Sequence, residues 1–345
     1  MQMKFGKTIA TFLILATAAA AVVSCKDKED EEITKESLSG RIRLPLPAYM
    51  LKGESKTFKL DTIVSLARKD GQKIGYYFRD PATDKYDTIV FDGGVANPAF
   101  PGGVFTVTAP EELGSYSAVL TGYSSEYYVS SAVAYFDTVD PNLDGTGSIT
   151  GFSPIQDGGS FTDPRDSFRY FTVRSSGLEW MRQNLVWAGA GVPYSNAEAA
   201  SRIFGRYYTW NEAMTACPEG WRLPSDAEWR ALASVSGSPA ESTGDVSGAA
   251  AGIMGDLSFN GTKMWEYWPA VKISDSTGLT AIPCGYAMST GSAPKFSGMG
   301  SYAAFWTSDG SDGTAVYRYI YQDNNTLFKG VADVAGFRAS VRCVR

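Results

Sequence analysis

Short apolar runs separated by turn-forming residues dominate the chain between residues 40 and 138. Clusters of Gly, Pro, Asp and Lys divide these runs, which lie at 58–64, 74–78, 88–91, 104–108, 116–120 and 127–136. Short runs rich in β-branched and aromatic residues, bounded by such clusters, predict strands. We therefore predict an all-β sandwich over residues 40–138.

The size of this region and one local motif connect it with immunoglobulin-like sandwiches. Such domains hold about seven strands in about 100 residues. The segment LGSYSA at 113–118 resembles their tyrosine-corner stretch, with Ala118 where an antibody domain has a cysteine. An ordinary strand aromatic explains Tyr116 equally well. We expect an immunoglobulin-like spacer domain that holds without a disulfide.

Two helix starts and a set of apolar runs mark the second half of the chain. Thr209 and Ser225 each precede a glutamate by three residues, which is the spacing of a capping box. Further strands are predicted by apolar runs at 168–173, 279–286, 303–308, 315–321 and 337–344. Two helices followed by strands and long loops indicate an α+β domain rather than an alternating α/β sheet. We place this domain at residues 161–345, after a Gly- and Asp-rich linker at 139–160.

The N-terminus has the features of a lipoprotein signal. Lys4 and Lys7 precede an apolar run at 9–23, which has signal-peptide length and is short for a membrane-spanning helix. The run ends in Val-Val-Ser before Cys25, which fits a bacterial lipobox. We predict a signal peptide at 1–24, acylation of Cys25 and anchoring in outer-membrane lipid. An ordinary signal peptide with a chance cysteine is the alternative.

Composition narrows the classes of function. The chain has a net charge of −6 and no cluster of lysines and arginines, which argues against nucleic acid as a partner. It contains no histidine, so Ser-His-Asp and Cys-His catalysis, histidine-ligated zinc and histidine-based pH switching are excluded. Carboxylate and thiol chemistry remain open.

Several segments of the second half resemble one family. They are DPRD at 163–166, WMRQNL at 180–185, GRYYTWNEA at 205–213, CPEGWRLPSDAEW at 217–229, GFR at 336–338 and RC at 342–343. In this order they resemble the major paralogous domain (FISUMP) of Bacteroidetes and Fibrobacter lipoproteins, over roughly residues 160–345. That family looks related to the formylglycine-generating, sulfatase-modifying enzymes. The resemblance therefore implies a C-type-lectin-like fold for the second domain.

The same resemblance implies a disulfide between Cys217 and Cys343. In related sulfatase-modifying enzymes the equivalent pair looks to tie the end of the first helix to the last strand, and an oxidising compartment permits the bond. Loop-entropy arithmetic for a closure of this size gives about 4–5 kcal/mol of stabilisation, usually an overestimate. Two buried free thiols are the alternative.

Cys284 is then the thiol left over. Formylglycine-generating enzymes use a pair of redox-active thiols besides structural disulfides, and the resemblance does not supply that pair here. No lysine or arginine lies near Cys284 in the sequence to lower its pKa, as a reactive thiol requires. We expect a buried strand cysteine in a protein that is not an enzyme, with a nucleophilic Cys284 as the alternative.

Candidate ligand-binding residues come from loops of the second domain. Glu266 lies beside Trp265 and Trp268, and aromatic faces next to a carboxylate can form a sugar-binding platform. Packing of the two tryptophans is the alternative. Tyr302 and Asn324 are further loop candidates. The Glu-Pro-Asn or Gln-Pro-Asp loop with which C-type lectins hold Ca²⁺ and sugar does not occur in this sequence.

A candidate metal site lies in the linker. Asp140, Asn142 and Asp144, followed by Gly145, match the first half of a calcium loop, because oxygen ligands at alternate positions suit Ca²⁺. Position 12 of that template is Gly151, so the bidentate acid is missing. Asp and Asn are also ordinary turn residues. A structural Ca²⁺ is one hypothesis for this loop, and we expect no other cofactor.

The acidic run after Cys25 bears on location. Residues 25–39 have the composition of a solvated tether. In Bacteroidetes lipoproteins an acidic run at this place resembles a surface-export signal. We expect the protein on the outer membrane, facing the cell exterior, with a periplasmic orientation as the alternative.

Taken together, these features favour a binding function. A lipid anchor, a spacer and a lectin-like domain predict a non-catalytic binding or adhesion protein whose loops contact a glycan or a surface protein. A structural envelope or pilus-associated subunit and a sulfatase-modifying-type enzyme are the alternatives. A concave, aromatic-lined site between residues 234 and 304 would favour the binding function.

Overall fold

The computed structural model of the chain describes residues 35–66, 75–80, 85–90, 104–123, 127–128, 131–153, 158–236, 244–266, 271–289, 291 and 293–345. The predicted signal peptide, Cys25 and Trp268 lie outside these residues. Within them β-sheet dominates. None of the helices in these ranges has the length and apolar character needed to cross a bilayer.

The first part of the chain is built from short strands and one helical turn. These are β1 Glu36–Ser37, β2 Tyr49–Leu51, β3 Ser55–Lys59, α1 Leu60–Ile63, β4 Gly75–Asp80, β5 Lys85–Val90, β6 Val104–Thr108, β7 Ser115–Tyr123, β8 Tyr127–Tyr128 and β9 Ser131–Val139. One sheet has the order β2-β9-β7-β4-β5, and a second pairs β3 with β6. β1, at the end of the segment predicted as a tether, pairs in parallel with β8.

The predicted strand at 58–64 is wrong in its second half. β3 ends at Lys59, and the chain enters α1, which buries Leu60 and Ile63. These two residues are three positions apart, so one helical turn places both on the same side, whereas a strand would point them to opposite faces. They pack in the core with Leu120 of β7.

Tyr116 makes the hydrogen bond that is typical of a tyrosine corner. Its hydroxyl donates to the backbone carbonyl oxygen of Glu112 at 3.1 Å. Its ring lies beside that of Phe136, with the centroids 6.0 Å apart. These contacts fix the turn that leads into β7.

The second part of the chain contains the remaining elements. They are β10 Ile149–Thr150, β11 Gly159–Thr162, β12 Arg169–Ser175, β13 Leu178–Met181, β14 Val192–Pro193, α2 Glu198–Phe204, β15 Arg206–Tyr207, α3 Trp210–Ala216, α4 Asp226–Ser234, β16 Val246–Ser247, α5 Ala250–Ile253, β17 Ser258–Phe259, β18 Thr262–Lys263, β19 Cys284–Ser289, β20 Pro294–Met299, β21 Tyr302–Ser311, β22 Thr314–Tyr321, β23 Asn324–Asp333 and β24 Phe337–Arg338. The largest sheet has the order β16-β23-β22-β21-β19-β20, with β24 paired to β19. Its centre is the antiparallel set β21-β22-β23.

Both predicted capping boxes are present. The side chains of Thr209 and Ser225 each accept the backbone N–H of the glutamate three residues on, and that glutamate accepts the backbone N–H of the cap. α4 then buries Trp229, whose ring centroid lies 5.1 Å from those of Trp180 and Phe305. The Ser225 cap therefore sets where α4 begins, and this start places Trp229 on the face of the helix that packs in the core.

The predicted disulfide Cys217–Cys343 is confirmed. It joins the residue that ends α3 to the segment at the C-terminus. Next to it, Arg342 is buried and its Nε donates to Asn184 Oδ1 at 2.6 Å. The WMRQNL and RC segments of the sequence therefore meet in space.

The predicted linker at 139–160 is part of the folded body where the structure describes it. β10 pairs antiparallel with β17, and Val139 and Ile149 belong to the main core of the second part. Asn260 Nδ2 donates to the carbonyl oxygen of Thr138 at 3.0 Å. The two parts of the chain are consequently joined by side-chain contacts as well as by the backbone.

Candidate ligand-binding site

A cleft of about 210 Å³ opens where the first part of the chain meets the loops of the second. β2 contributes Tyr49 to its lining, the β17–β18 hairpin contributes Phe259, and the end of β20 contributes Met299. Glu266 lies in the loop after β18 and also lines the cleft. The loops between residues 234 and 304 thus form part of a concave site with aromatic walls.

The aromatic wall of the cleft is a cluster of rings packed edge to face. The centroid of Tyr49 lies 5.7 Å from that of Phe204 and 6.1 Å from that of Phe259. Edge-to-face contacts of this kind fix ring orientation. Burial raises the pKa of Tyr49, so its hydroxyl stays protonated at neutral pH.

Charged side chains lie at the rim of the cleft. Lys263 Nζ forms an ion pair with the Asp256 carboxylate. The backbone N–H of Glu266 donates to the carbonyl oxygen of Gly300 at 2.9 Å, whereas its exposed carboxylate has no hydrogen bond or ion pair among the described residues. Gly300 has a φ of +84°, and a Cβ there would lie 2.7 Å from Glu266 Oε1. The glycine therefore allows the carboxylate to lie where it does.

The structure separates Glu266 from its predicted aromatic partner. Trp265 is 1 % exposed, and its indole N–H donates to the carbonyl oxygen of Ala281 at 3.2 Å. Its ring packs in the core of the second part and offers no platform to a ligand. Trp268 lies outside the described residues.

Tyr302 and Asn324 lie away from the cleft lining, on the large sheet. The rings of Tyr302, Tyr319 and Phe328 stack across β21, β22 and β23, with successive centroids 5.2 and 5.1 Å apart. Tyr302 is 5 % exposed, and the two ring faces of Tyr319 are covered by its neighbours. Asn324 is exposed at the start of β23. The Tyr302 and Tyr319 rings are therefore engaged in packing within the sheet.

The predicted calcium loop is closed by its own hydrogen bonds. Asp140 Oδ2 pairs with Lys52 Nζ at 2.7 Å, and Asp140 Oδ1 accepts the backbone N–H of Asn142 at 3.0 Å. Asp144 accepts from Asn142 Nδ2 at 2.8 Å and from the backbone N–H of Thr146 at 2.9 Å. No group of three or more His, Cys, Asp and Glu side chains that could hold a metal ion occurs in the described part of the chain. The loop oxygens thus make hydrogen bonds and one ion pair, and a structural Ca²⁺ at this loop stays a prediction.

Cys284 is a buried strand cysteine, as predicted. It lies at the start of β19 with 1 % exposure, and its Sγ is 3.2 Å from Ser340 Oγ. Burial raises the pKa of the thiol. A thiol that is buried and protonated is a poor nucleophile.

A second concavity, of about 480 Å³, lies at the β12–β13 hairpin. Its charged lining residues include Glu179 and Arg345, which pair with each other at 2.9 Å. The rest of its described lining is Arg174, Leu178 and small turn residues, without an aromatic ring. Ligand sites are predominantly apolar with a few convergent polar groups, and the smaller cleft meets that description better.

Sequence reasoning found Glu266 but missed the rest of the cleft. Phe259 immediately precedes Asn260-Gly261, a dipeptide that is a strong signal for a two-residue hairpin turn, and β17 and β18 pair across it. That signal would have placed Phe259 opposite Thr262, next to Lys263 in the sequence. Nothing local in the sequence connects Tyr49 with these residues, because only tertiary packing brings β2 to the hairpin.

Comparison with known proteins identifies the second part of the chain. A family model described as the Fibrobacter succinogenes major domain matches residues 173–345. The match begins within β12 and includes the disulfide and Glu266, whereas Tyr49 lies outside it. No curated protein and no solved structure gives a significant match to the chain.

Proposed function

The chain belongs to the Fibrobacter succinogenes major domain family, and on that premise we propose that it is a non-catalytic binding and adhesion protein held at the cell surface. The observation that carries the proposal is the aromatic-walled cleft with the Glu266 carboxylate at its rim, which has no hydrogen bond or ion pair among the described residues. A concave site with apolar walls and a few polar groups is the usual form of a small-ligand site.

A glycan is the ligand class that best suits this cleft. A sugar ring has an apolar face that can pack on Tyr49 or Phe259 and hydroxyl groups that can donate to Glu266. Hydrogen bonds to a charged acceptor contribute about 1.5–3 kcal/mol each. The second ligand class that these groups could bind is a surface protein that presents a short polar segment to the cleft.

The protein is anchored in the outer membrane through an acylated Cys25 and faces the cell exterior. The lipobox before Cys25 and the acidic residues 26–32 support this location. The first part of the chain then separates the cleft from the membrane surface.

The two parts of the chain have an immunoglobulin-like and a C-type-lectin-like architecture, respectively. The sheets β2-β9-β7-β4-β5 and β3-β6, together with the hydrogen bond from Tyr116 to Glu112, support the first assignment. For the second assignment, the family resemblance and the bond Cys217–Cys343 give support. Both architectures would present loops at one end of a rigid body.

The burial of Cys284 supports a binding protein rather than a sulfatase-modifying-type enzyme. Its thiol is buried and forms a hydrogen bond with the hydroxyl of Ser340. The cleft proposal requires no metal or other cofactor, because its polar groups are a carboxylate, an ammonium group and hydroxyls. We therefore assign ligand binding without chemistry.

The soluble fragment 26–345 with its disulfide intact is the material with which to test this proposal. Glycan and matrix-protein arrays should show selective binding, and Glu266→Gln should weaken the binding of a glycan hit about tenfold or more, because it removes the charged acceptor and keeps the shape. Glu219→Gln, on an exposed turn, is the matched control and should bind as the wild type does. Silence of the wild type on both arrays would contradict the proposal.

A structural envelope or pilus-associated subunit is the second candidate. It is favoured by an exposed apolar face on the first part of the chain, where Val119 and Val133 are paired across β7 and β9 and lie near Tyr135. Exposed apolar patches of this kind are often contact surfaces. Copurification of the natural protein with a surface polymer, unaffected by Glu266→Gln, would favour this role over the binding function.

A further inference from the structure

We infer that the first part of the chain is a component of the binding site rather than a spacer alone, and that the site takes a single sugar ring packed against Tyr49. This inference rests on the proposed function and names the ligand size and a specificity-determining residue of the same cleft. Tyr49 lies outside the matched family region. The site of this chain is therefore composite.

Strand alternation fixes the direction of Tyr49. Its neighbour Met50 is fully buried in the core of the first part, with Phe136 and Val107. Because successive side chains of a strand point to opposite faces, Tyr49 points away from that core. It packs instead against Phe204 and Phe259 of the second part.

The position of this wall is held by backbone pairing. β2 pairs in parallel with β9, with Tyr49 opposite Asp137. After β9 the chain continues to β10, which pairs with β17 of the hairpin that carries Phe259. The hydrogen bond from Asn260 to Thr138 adds a side-chain link at the same place. Backbone pairing and this hydrogen bond therefore hold Tyr49 and Phe259 in place, so that a ligand does not have to fix their positions when it binds.

The volume of the cleft sets the size of the ligand. Sites for drug-sized ligands span about 300–1,000 Å³, whereas this cleft has about 210 Å³. Such a space accommodates one ring rather than a chain of rings. The ring would lie between the Tyr49 and Phe259 wall and the Glu266 carboxylate, with Lys263 at the rim.

The test uses the fragment 26–345 and a defined set of probes. Methyl glycosides of hexoses, N-acetylhexosamines and hexuronic acids, with the corresponding trisaccharides, are titrated against the wild type, Glu266→Gln, Tyr49→Leu and Tyr135→Leu. Tyr135 is a matched control, because it is a tyrosine of the same sheet that is 74 % exposed and lies outside the cleft. Thermal unfolding of every variant shows which of them are folded.

We expect one class of methyl glycoside to bind, its trisaccharide to bind within about threefold of it, and Tyr49→Leu to weaken binding about tenfold while Tyr135→Leu leaves it unchanged. Thr262→Trp, which places a large ring on an exposed residue of the lining, should abolish binding without unfolding the protein.

Three outcomes would overturn the inference. Binding by Tyr49→Leu at wild-type strength, with loss in Glu266→Gln, removes the role of the first part and leaves the proposed function intact. A trisaccharide that binds more than tenfold tighter than its methyl glycoside removes the single-ring size. Failure of the wild type to bind any probe, together with silence on the arrays, removes the proposed function as well.

Discussion

At the scale of single residues, Arg342 is a buried charge that has no carboxylate in contact among the described residues. Its Nε donates to Asn184 Oδ1 at 2.6 Å, and its Nη1 donates to the carbonyl oxygens of Met181 and Leu279 at 3.2 and 2.9 Å. Burial lowers the pKa of Arg342 to about 9, which still leaves the group charged at neutral pH. A buried charge is tolerated only when its hydrogen bonds are complete.

Asn184→Ala should therefore destabilise the protein strongly. The substitution leaves Nε of Arg342 buried without an acceptor, and it also removes the hydrogen bond from Asn184 Nδ2 to the carbonyl oxygen of Phe204 at 2.8 Å. We expect the free energy of unfolding in urea to fall by about 3 kcal/mol. Asn211→Ala, at an exposed asparagine of α3, should change it by less than about 0.5 kcal/mol. Equal urea midpoints for the two variants would refute this account of Arg342.

The sequence alone predicted the roles of some individual residues and not of others. The resemblance placed Cys217 and Cys343 together, and the lack of a nearby cation predicted the inert Cys284. Trp265 and Glu266 are adjacent in the sequence, and only the hydrogen bond from the Trp265 indole to Ala281 decides which of them faces inward. Such a choice depends on tertiary contacts, which a local pattern does not contain.

At the scale of helices and strands, the sequence predicted an element correctly where the residues that determine it lie close together in the chain. The capping boxes fix the starts of α3 and α4 because donor and acceptor lie three residues apart in the sequence. β23 was missed because its sequence NNTLFKGVAD begins with two turn-forming asparagines and includes Gly330. Its strand form comes from pairing with β22, in which Phe328 lies opposite Tyr319 and Gly330 opposite Tyr317.

Gly330 is required by the ring of Tyr317, which lies against its backbone. A Cβ at position 330 would come within 2.2 Å of the Tyr317 ring. Gly330→Ala should displace this ring, whose centroid is 4.6 Å from that of Phe337, and lower the free energy of unfolding by about 1–3 kcal/mol. The near-ultraviolet circular dichroism of the aromatic face should change as well. Val331→Ala, at the exposed neighbouring residue, is the control and should change neither quantity appreciably.

At the scale of the whole molecule, the two parts of the chain differ in their spectroscopic reporters. All eight tryptophans lie at or after residue 180, so tryptophan fluorescence reports only on the second part. Far-ultraviolet circular dichroism reports on the sheets of both parts. Tryptophan fluorescence therefore follows the unfolding of the second part, and circular dichroism follows the unfolding of the whole protein.

These reporters test whether the contacts between the parts make one cooperative unit. The hydrogen bond from Asn260 to Thr138 and the packing of Tyr49 against Phe259 both cross the boundary. We expect the two probes to give coincident urea transitions in the wild type, because a cooperative unit unfolds all at once. Asn260→Ala combined with Tyr49→Ala should separate them, whereas Asn211→Ala should not.

The direction of that separation follows from the disulfide. The bond Cys217–Cys343 lies wholly within the second part and restricts its unfolded chain, which stabilises that part by about 2–5 kcal/mol. In the double variant the circular dichroism change should therefore begin at lower urea than the fluorescence change, since the first part loses its support. Adding a reductant removes the restriction and should bring the fluorescence transition to lower urea. Separate transitions in the wild type would show that the first part folds independently and would remove the rigid wall on which the composite site depends.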